Sequence, residues 1–190
     1  MVWTPSPPPA PTRTTSGPRS SHFFNGKRYP YYAGRRGQTN AYAPAVGARK
    51  TARPTRREGT WVDKGQAHRR QADRWAIDGS VFENKGPAVP VWSGWDAAAN
   101  GRQDIYLARL KDPWTVEGAR IAGVEADLPL GKVRRPPGPI PTTRPHIDVT
   151  EGPEVIHHGN DPVLHTSASA CWTDTYALGA LKASADADRC

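Results

Sequence analysis

Two cysteines, three phenylalanines and one methionine are all that 190 residues contain of these types, and no stretch approaches the roughly 18 apolar residues of a membrane-crossing helix. The thiols are Cys171 and the terminal Cys190. They make neither a disulfide framework nor a zinc site, and could pair only if the terminus folds back. The first 21 residues lack the apolar segment of about 7 to 15 residues that marks a secretory signal. No compartment follows from this. A hydrophobic share of 36% and a mean hydropathy of −0.70 leave little surface to bury.

Proline and basic charge are abundant instead. Twenty prolines occur, five of them within the first 11 residues, and residues 1–21 read as a disordered, Pro-rich tail. Residues 1–74 hold 15 Lys and Arg against 3 acids, a net +12; residues 75–190 hold 11 against 15, a net −4. The total of +8 is therefore an N-terminal property. Arg49, Lys50, Arg53, Arg56, Arg57, Arg69 and Arg70 would suit a polyanion, with Tyr29, Tyr31 and Tyr32 available to stack on bases. No nucleic-acid fold motif accompanies them, and Arg/Pro-rich stretches are ordinarily solvated surface, so a nucleic-acid partner is disfavoured.

A unit repeats. Residues 22–34, 81–94 and 154–169 each run from an apolar doublet through a Gly-containing turn into a second strand-like run. Asn-Gly and Lys-Gly steps supply the positive φ of tight hairpins, and aromatic or β-branched flanks suit a pleated surface. The units recur at roughly 60 to 75 residues, room for about four short strands and a long loop each, which predicts a bladed all-β architecture.

Two carboxylates occupy equivalent places in this plan: Asp78 in Trp75-Ala-Ile-Asp-Gly-Ser-Val-Phe-Glu83 and Glu151 in Thr150-Glu-Gly-Pro-Glu-Val-Ile156. Each stands just ahead of a β-type apolar triplet, so a repeated unit aims both at one place. Taken singly, an Asp before Gly-Ser is ordinarily a turn former. Glu151-Gly-Pro likewise reads as an exposed turn, with Glu154 as the competing acid.

Five stretches in order resemble glycoside hydrolase family 43, its α-L-arabinofuranosidase and arabinanase members in particular: residues 75–83, Val91-Trp-Ser-Gly-Trp-Asp96, Gly101-Arg-Gln-Asp-Ile-Tyr-Leu-Ala-Arg-Leu-Lys-Asp-Pro-Trp114, Glu151-Gly-Pro-Glu-Val155 and 167–179. The match spans most of residues 58–188, with a weaker echo at 20–40. The resemblance implies a five-bladed β-propeller, here about three blades at residues 22–190, with an inverting acid/base site at its centre. It implies Glu151 as general acid and Asp78 as the carboxylate that tunes its pKa. The family's general base, an Asp of the first blade, has no match. Glu58, Asp63 and Asp73 fall in a stretch resembling a blade-edge loop. The chain is expected to begin near the end of the first blade, to stop after the fourth unit, and to be catalytically impaired, since inversion needs a second carboxyl roughly 6.5 to 9.5 Å from the acid.

The implied partner is an arabinose-containing oligo- or polysaccharide; no cofactor or metal is implied. Trp95 and Trp172 are candidate sugar-stacking residues or gap fillers between blades, whereas Trp92 and Trp114 are expected in the core. His157 and His158, adjacent, would point to opposite faces of a strand and are read as solvated loop residues. Pro30, Pro90 and Pro162 stand where strand interiors are expected, and Arg28 and His165 stand where apolar residues are, so an eroded sheet is predicted.

Overall fold

The computed structural model describes residues 18–35, 42–50, 60–67, 74–83, 88–96, 102–124, 148–174 and 176–182. They form strands β1 (Pro18–Phe24), β2 (Lys27–Arg35), β3 (Tyr42–Lys50), β4 (Thr60–Gln66), β5 (Ala76–Glu83), β6 (Ala88–Trp95), β7 (Arg102–Asp112), β8 (Thr115–Val124), β9 (Asp148–Val149), β10 (Glu154–His158), β11 (Asp161–Ala168) and β12 (Ala177–Lys182). No helix long and apolar enough to cross a membrane occurs among them.

Three antiparallel meanders follow one another: β1-β2-β3-β4, β5-β6-β7-β8 with short β9 parallel to β7, and β10-β11-β12. Their first strands come together, since β5 touches both β1 and β10. This is a partial β-propeller of three blades, as the sequence predicts.

Local chemistry sets the hairpins. Asn25 and Gly26 both have positive φ, 49° and 74°, and close a two-residue loop between Phe24 and Lys27, the combination a type I′ turn requires. Gly159, at φ 66°, opens the equivalent loop between His158 and Asp161. At the end of β7, Asp112 Oδ1 accepts the Trp114 N–H at 3.0 Å across a Pro113-Trp114 turn.

The middle sheet is covered on both faces, and its strands show runs of buried residues rather than alternation. On one side Val81 and Leu110 pack with Tyr29, Tyr31 and Ala67; on the other Val91 and Ile105 pack with Phe82, Leu107, Leu164 and Leu181. Tyr29, Tyr31 and Tyr32 are 2%, 4% and 7% exposed, and Tyr31 donates its hydroxyl to Pro113 O at 2.6 Å. Tyr29 and Tyr31 fill the space between sheets and Tyr32 is buried, so none of the three presents a ring for base stacking. Trp92 is buried and Trp114 packs against Tyr29, both as expected.

The three in-strand prolines are each paired on one side at their position. Pro30 faces Ser21 of β1 while the β2–β3 register passes from Arg28↔Arg49 to Tyr31↔Val46. Pro90 faces Val81, with β6–β7 pairing starting at Val91; Pro162 faces His157, with β11–β12 pairing starting at Val163. A residue without an N–H is tolerated at such one-sided positions. Erosion is seen elsewhere: Arg28 Nε and His165 Nδ1 are buried without a hydrogen-bond partner among the described residues.

Other expectations are corrected. Asp63 lies in β4, the edge strand, rather than in a loop, and His157 and His158 are exposed strand residues of β10. β1 opens at Pro18, inside the stretch read as tail. Glu58, Asp73, Arg53, Arg56, Arg57, Arg69, Arg70, Cys190 and residues 1–17 lie outside the described residues, whereas Cys171 is an exposed free thiol.

Candidate active site

Asp78 occupies a bulge rather than a turn. The β5–β6 register steps from Ile77↔Ser93 to Ser80↔Val91, so Asp78 and Gly79 together oppose Trp92. Asp78 takes a φ of 54°, which Asp tolerates better than most side chains because it is short and polar. Bulges of this kind re-aim a side chain. Here the carboxylate is turned toward the stretch that follows β9, and its Oδ2 accepts the Gly152 N–H at 3.1 Å. Gly152 has a φ of 59° with open space around it, so glycine is required by the backbone and not by crowding. The two sequence-predicted acids are therefore brought to one seam, between the middle and third sheets.

Glu151 is fixed from several sides. Its N–H donates to Ser167 Oγ at 2.9 Å; its carbonyl accepts Ser167 N–H at 2.7 Å and Thr166 Oγ1–H at 2.8 Å. Its carboxylate Oε1 accepts Gln103 Nε2–H at 2.9 Å. Gln103 is 2% exposed and also donates to Ser93 Oγ at 2.8 Å, while Ser93 donates to Thr150 O at 2.7 Å. Thr150 N–H in turn donates to Gln103 O at 2.9 Å. Such a buried polar network holds its members only because every link is made.

Glu154, the competing acid, is exposed and takes Ser80 Oγ on both carboxylate oxygens, at 3.1 and 3.0 Å. Ser80 also lies 3.4 Å from His22 Nε2, and that nitrogen accepts the Val81 N–H at 3.3 Å. Ser20 Oγ donates to Gly79 O at 2.8 Å. β1, β5 and β10 are thus stitched side chain to strand beside Asp78. Burial pulls the His22 pKa below its ordinary value, and the bond from Val81 requires an unprotonated Nε2.

Trp95 stacks on Trp75 with ring centroids 5.1 Å apart and planes 17° apart, so one face of its indole is already covered. Trp172 is 45% exposed in a turn closed by Thr173 N–H to Ala170 O at 3.0 Å; Ala170 packs on Val149, two residues before Glu151. Among the described residues no group of three or more His, Cys, Asp or Glu could hold a metal ion.

Sequence reasoning missed Gln103, Ser93, His22 and Ser80. Only Gln103 left a trace, as a polar residue beside Asp104 leading into the apolar Ile105-Tyr106-Leu107 run.

Comparison with known proteins agrees with this fold. The chain is 30% identical over 169 residues to the extracellular exo-α-(1→5)-L-arabinofuranosidase of Streptomyces avermitilis, covering 88% of this chain and 32% of that protein. It is 31% identical over 173 residues to α-L-arabinofuranosidase 43 of Humicola insolens, with the same two coverages. The crystal structure of an α-L-arabinofuranosidase from Lactobacillus brevis superposes with a TM-score of 0.70 at 27% identity, covering 88% of this chain and 49% of that one. The chain thus spans about a third of those two relatives and half of that solved structure. With residues 17–188 matching the profile of glycosyl hydrolases family 43, the chain belongs to that family.

Proposed function

We propose that the chain carries the proton-donating half of an inverting glycosidase acting on α-L-arabinofuranosyl linkages of plant polysaccharides. Glu151 is the general acid, and Asp78 is the modulator whose negative charge favours the protonated acid. The observation that supports this is the bond from Gly152 N–H to Asp78 Oδ2, which ties Asp78 to the residue next to Glu151 across 74 residues of sequence. Trp172 offers an exposed indole for a sugar face, and Trp95 offers the face not covered by Trp75. No carboxylate of the 190 residues matches the family's water-activating base, so turnover by this chain is slow.

A sugar-binding protein without hydrolysis is the second reading, which the exposed indole of Trp172 serves equally. Calorimetric titration of the full chain with arabinobiose, paired with a hydrolysis assay on a nitrophenyl α-L-arabinofuranoside, separates the two. Binding with slow release of nitrophenol supports the glycosidase. Binding with no release supports the second reading, and no binding at millimolar arabinobiose contradicts both.

A further inference from the structure

The orientation of the Gln103 amide follows from its neighbours. Ser93 has one hydroxyl proton, and it goes to Thr150 O, a carbonyl that can only accept. Ser93 Oγ must therefore accept from Gln103, which puts the NH2 end of the amide, and not its oxygen, toward Ser93. The same nitrogen supplies its second N–H to Glu151 Oε1. Gln103 is then a donor to Glu151 whether the carboxyl is ionised or protonated, because flipping the amide would set two acceptors against each other at Ser93. Ser93, Gln103 and Thr150 are 0%, 2% and 2% exposed, so water does not compete for the links among these three.

We propose that Gln103 is a positioning residue that keeps Oε1 of Glu151 as a permanent acceptor and so makes Oε2 the oxygen that carries and delivers the acid's proton. This rests on the reading of Glu151 as the acid. An acid whose proton is confined to one oxygen meets the leaving oxygen in one geometry instead of two, a gain in orientation at the reacting atoms.

The test is carbon-detected NMR titration of the Glu151 carboxyl in the full chain, labelled at glutamate and assigned with Glu151→Gln. Donation to a carboxylate favours its charged form, so Gln103→Met, which keeps the volume and loses both N–H groups, should raise the Glu151 midpoint by about one unit. Gln103→Glu, which puts a like charge at the same place, should raise it further and serves if the Met variant fails to fold. A midpoint unmoved or lowered in a folded variant overturns the proposal, because a side chain that merely fills space would leave the titration alone. On substrates, Gln103→Met should lose more rate with arabinobiose than with a dinitrophenyl α-L-arabinofuranoside, which needs no proton on departure; equal losses also overturn it. Should Glu151→Gln hydrolyse arabinobiose as fast as the parent while the midpoint still moves, the acid assignment fails and the hold of Gln103 on Glu151 stands.

Discussion

Strands β5 to β7 and strands β10 to β12 follow the same meander, yet Val91 and Ile105 are 1% and 0% exposed whereas Ile156 and Leu178 are 56% and 76% exposed. The middle sheet lies between the tyrosine cluster of the first sheet and Leu164 and Leu181 of the third. The third presents one open face among the described residues. Asp78 and Gln103 belong to the covered sheet, and Glu151, which precedes β10, is tied back to it through Thr150 and Gln103. The acids are therefore positioned by the better-packed sheet, and β11 contributes Thr166 and Ser167 as a second wall.

The contrast is broken most sharply by truncation. Ile105→Ala should cost about 2 to 5 kcal/mol, whereas Leu178→Ala should stay within about 0.5 kcal/mol, both read from urea unfolding followed by circular dichroism. Equal effects would mean that burial in the middle sheet carries no special weight. A smaller change tests the eroded third sheet: His165→Leu removes a buried nitrogen without a partner on β11 and should stabilise by about 1 kcal/mol in the same assay. A loss of stability instead would show that His165 is satisfied in solution.

The smallest effect is the pH dependence at the junction of β1 with β5. The folded-state pKa of His22 is depressed by burial, so the unfolded chain takes up its proton first, near pH 6.5. Its contribution to stability is complete above about pH 6.5 and is lost as pH falls toward the depressed folded value. The drop in urea midpoint between pH 7.5 and 5.5 should shrink in His22→Asn, which titrates nowhere in that range. An undiminished drop would assign the dependence to carboxylates.

What could be read from the sequence was local or repeated. Asn25-Gly26 and Gly159 declare their turns because only a few residues adopt positive φ cheaply. Asp78 and Glu151 stand in matching frames of the repeat, and Trp92 and Trp114 are large apolar residues within and beside strand runs. What could not be read depends on long-range partners. Ser80 meets Glu154 across 74 residues and Gln103 meets Glu151 across 48, and no sequence periodicity marks either pair. The tyrosines beside the basic cluster were misleading for a related reason: an amphipathic ring suits a nucleobase and a sheet interface equally, and only the position of the second sheet decides. Pro30, Pro90 and Pro162 each fall where one neighbouring strand is unpaired, a property of register that the sequence pattern does not display.

Arabinobiose cleavage in the presence of azide, by the parent and by Glu151→Gln, puts the assignment of the acid to its most direct trial. Azide can attack the anomeric carbon from the face opposite the departing oxygen, giving the β-L-arabinofuranosyl azide without a base, while Glu151 protonates the oxygen that leaves. The account predicts that azide accelerates the parent on both arabinobiose and a dinitrophenyl α-L-arabinofuranoside, and that Glu151→Gln keeps the second acceleration but loses the first by at least about a hundredfold. Equal cleavage of arabinobiose by parent and variant, or a parent inert to both substrates, would contradict it.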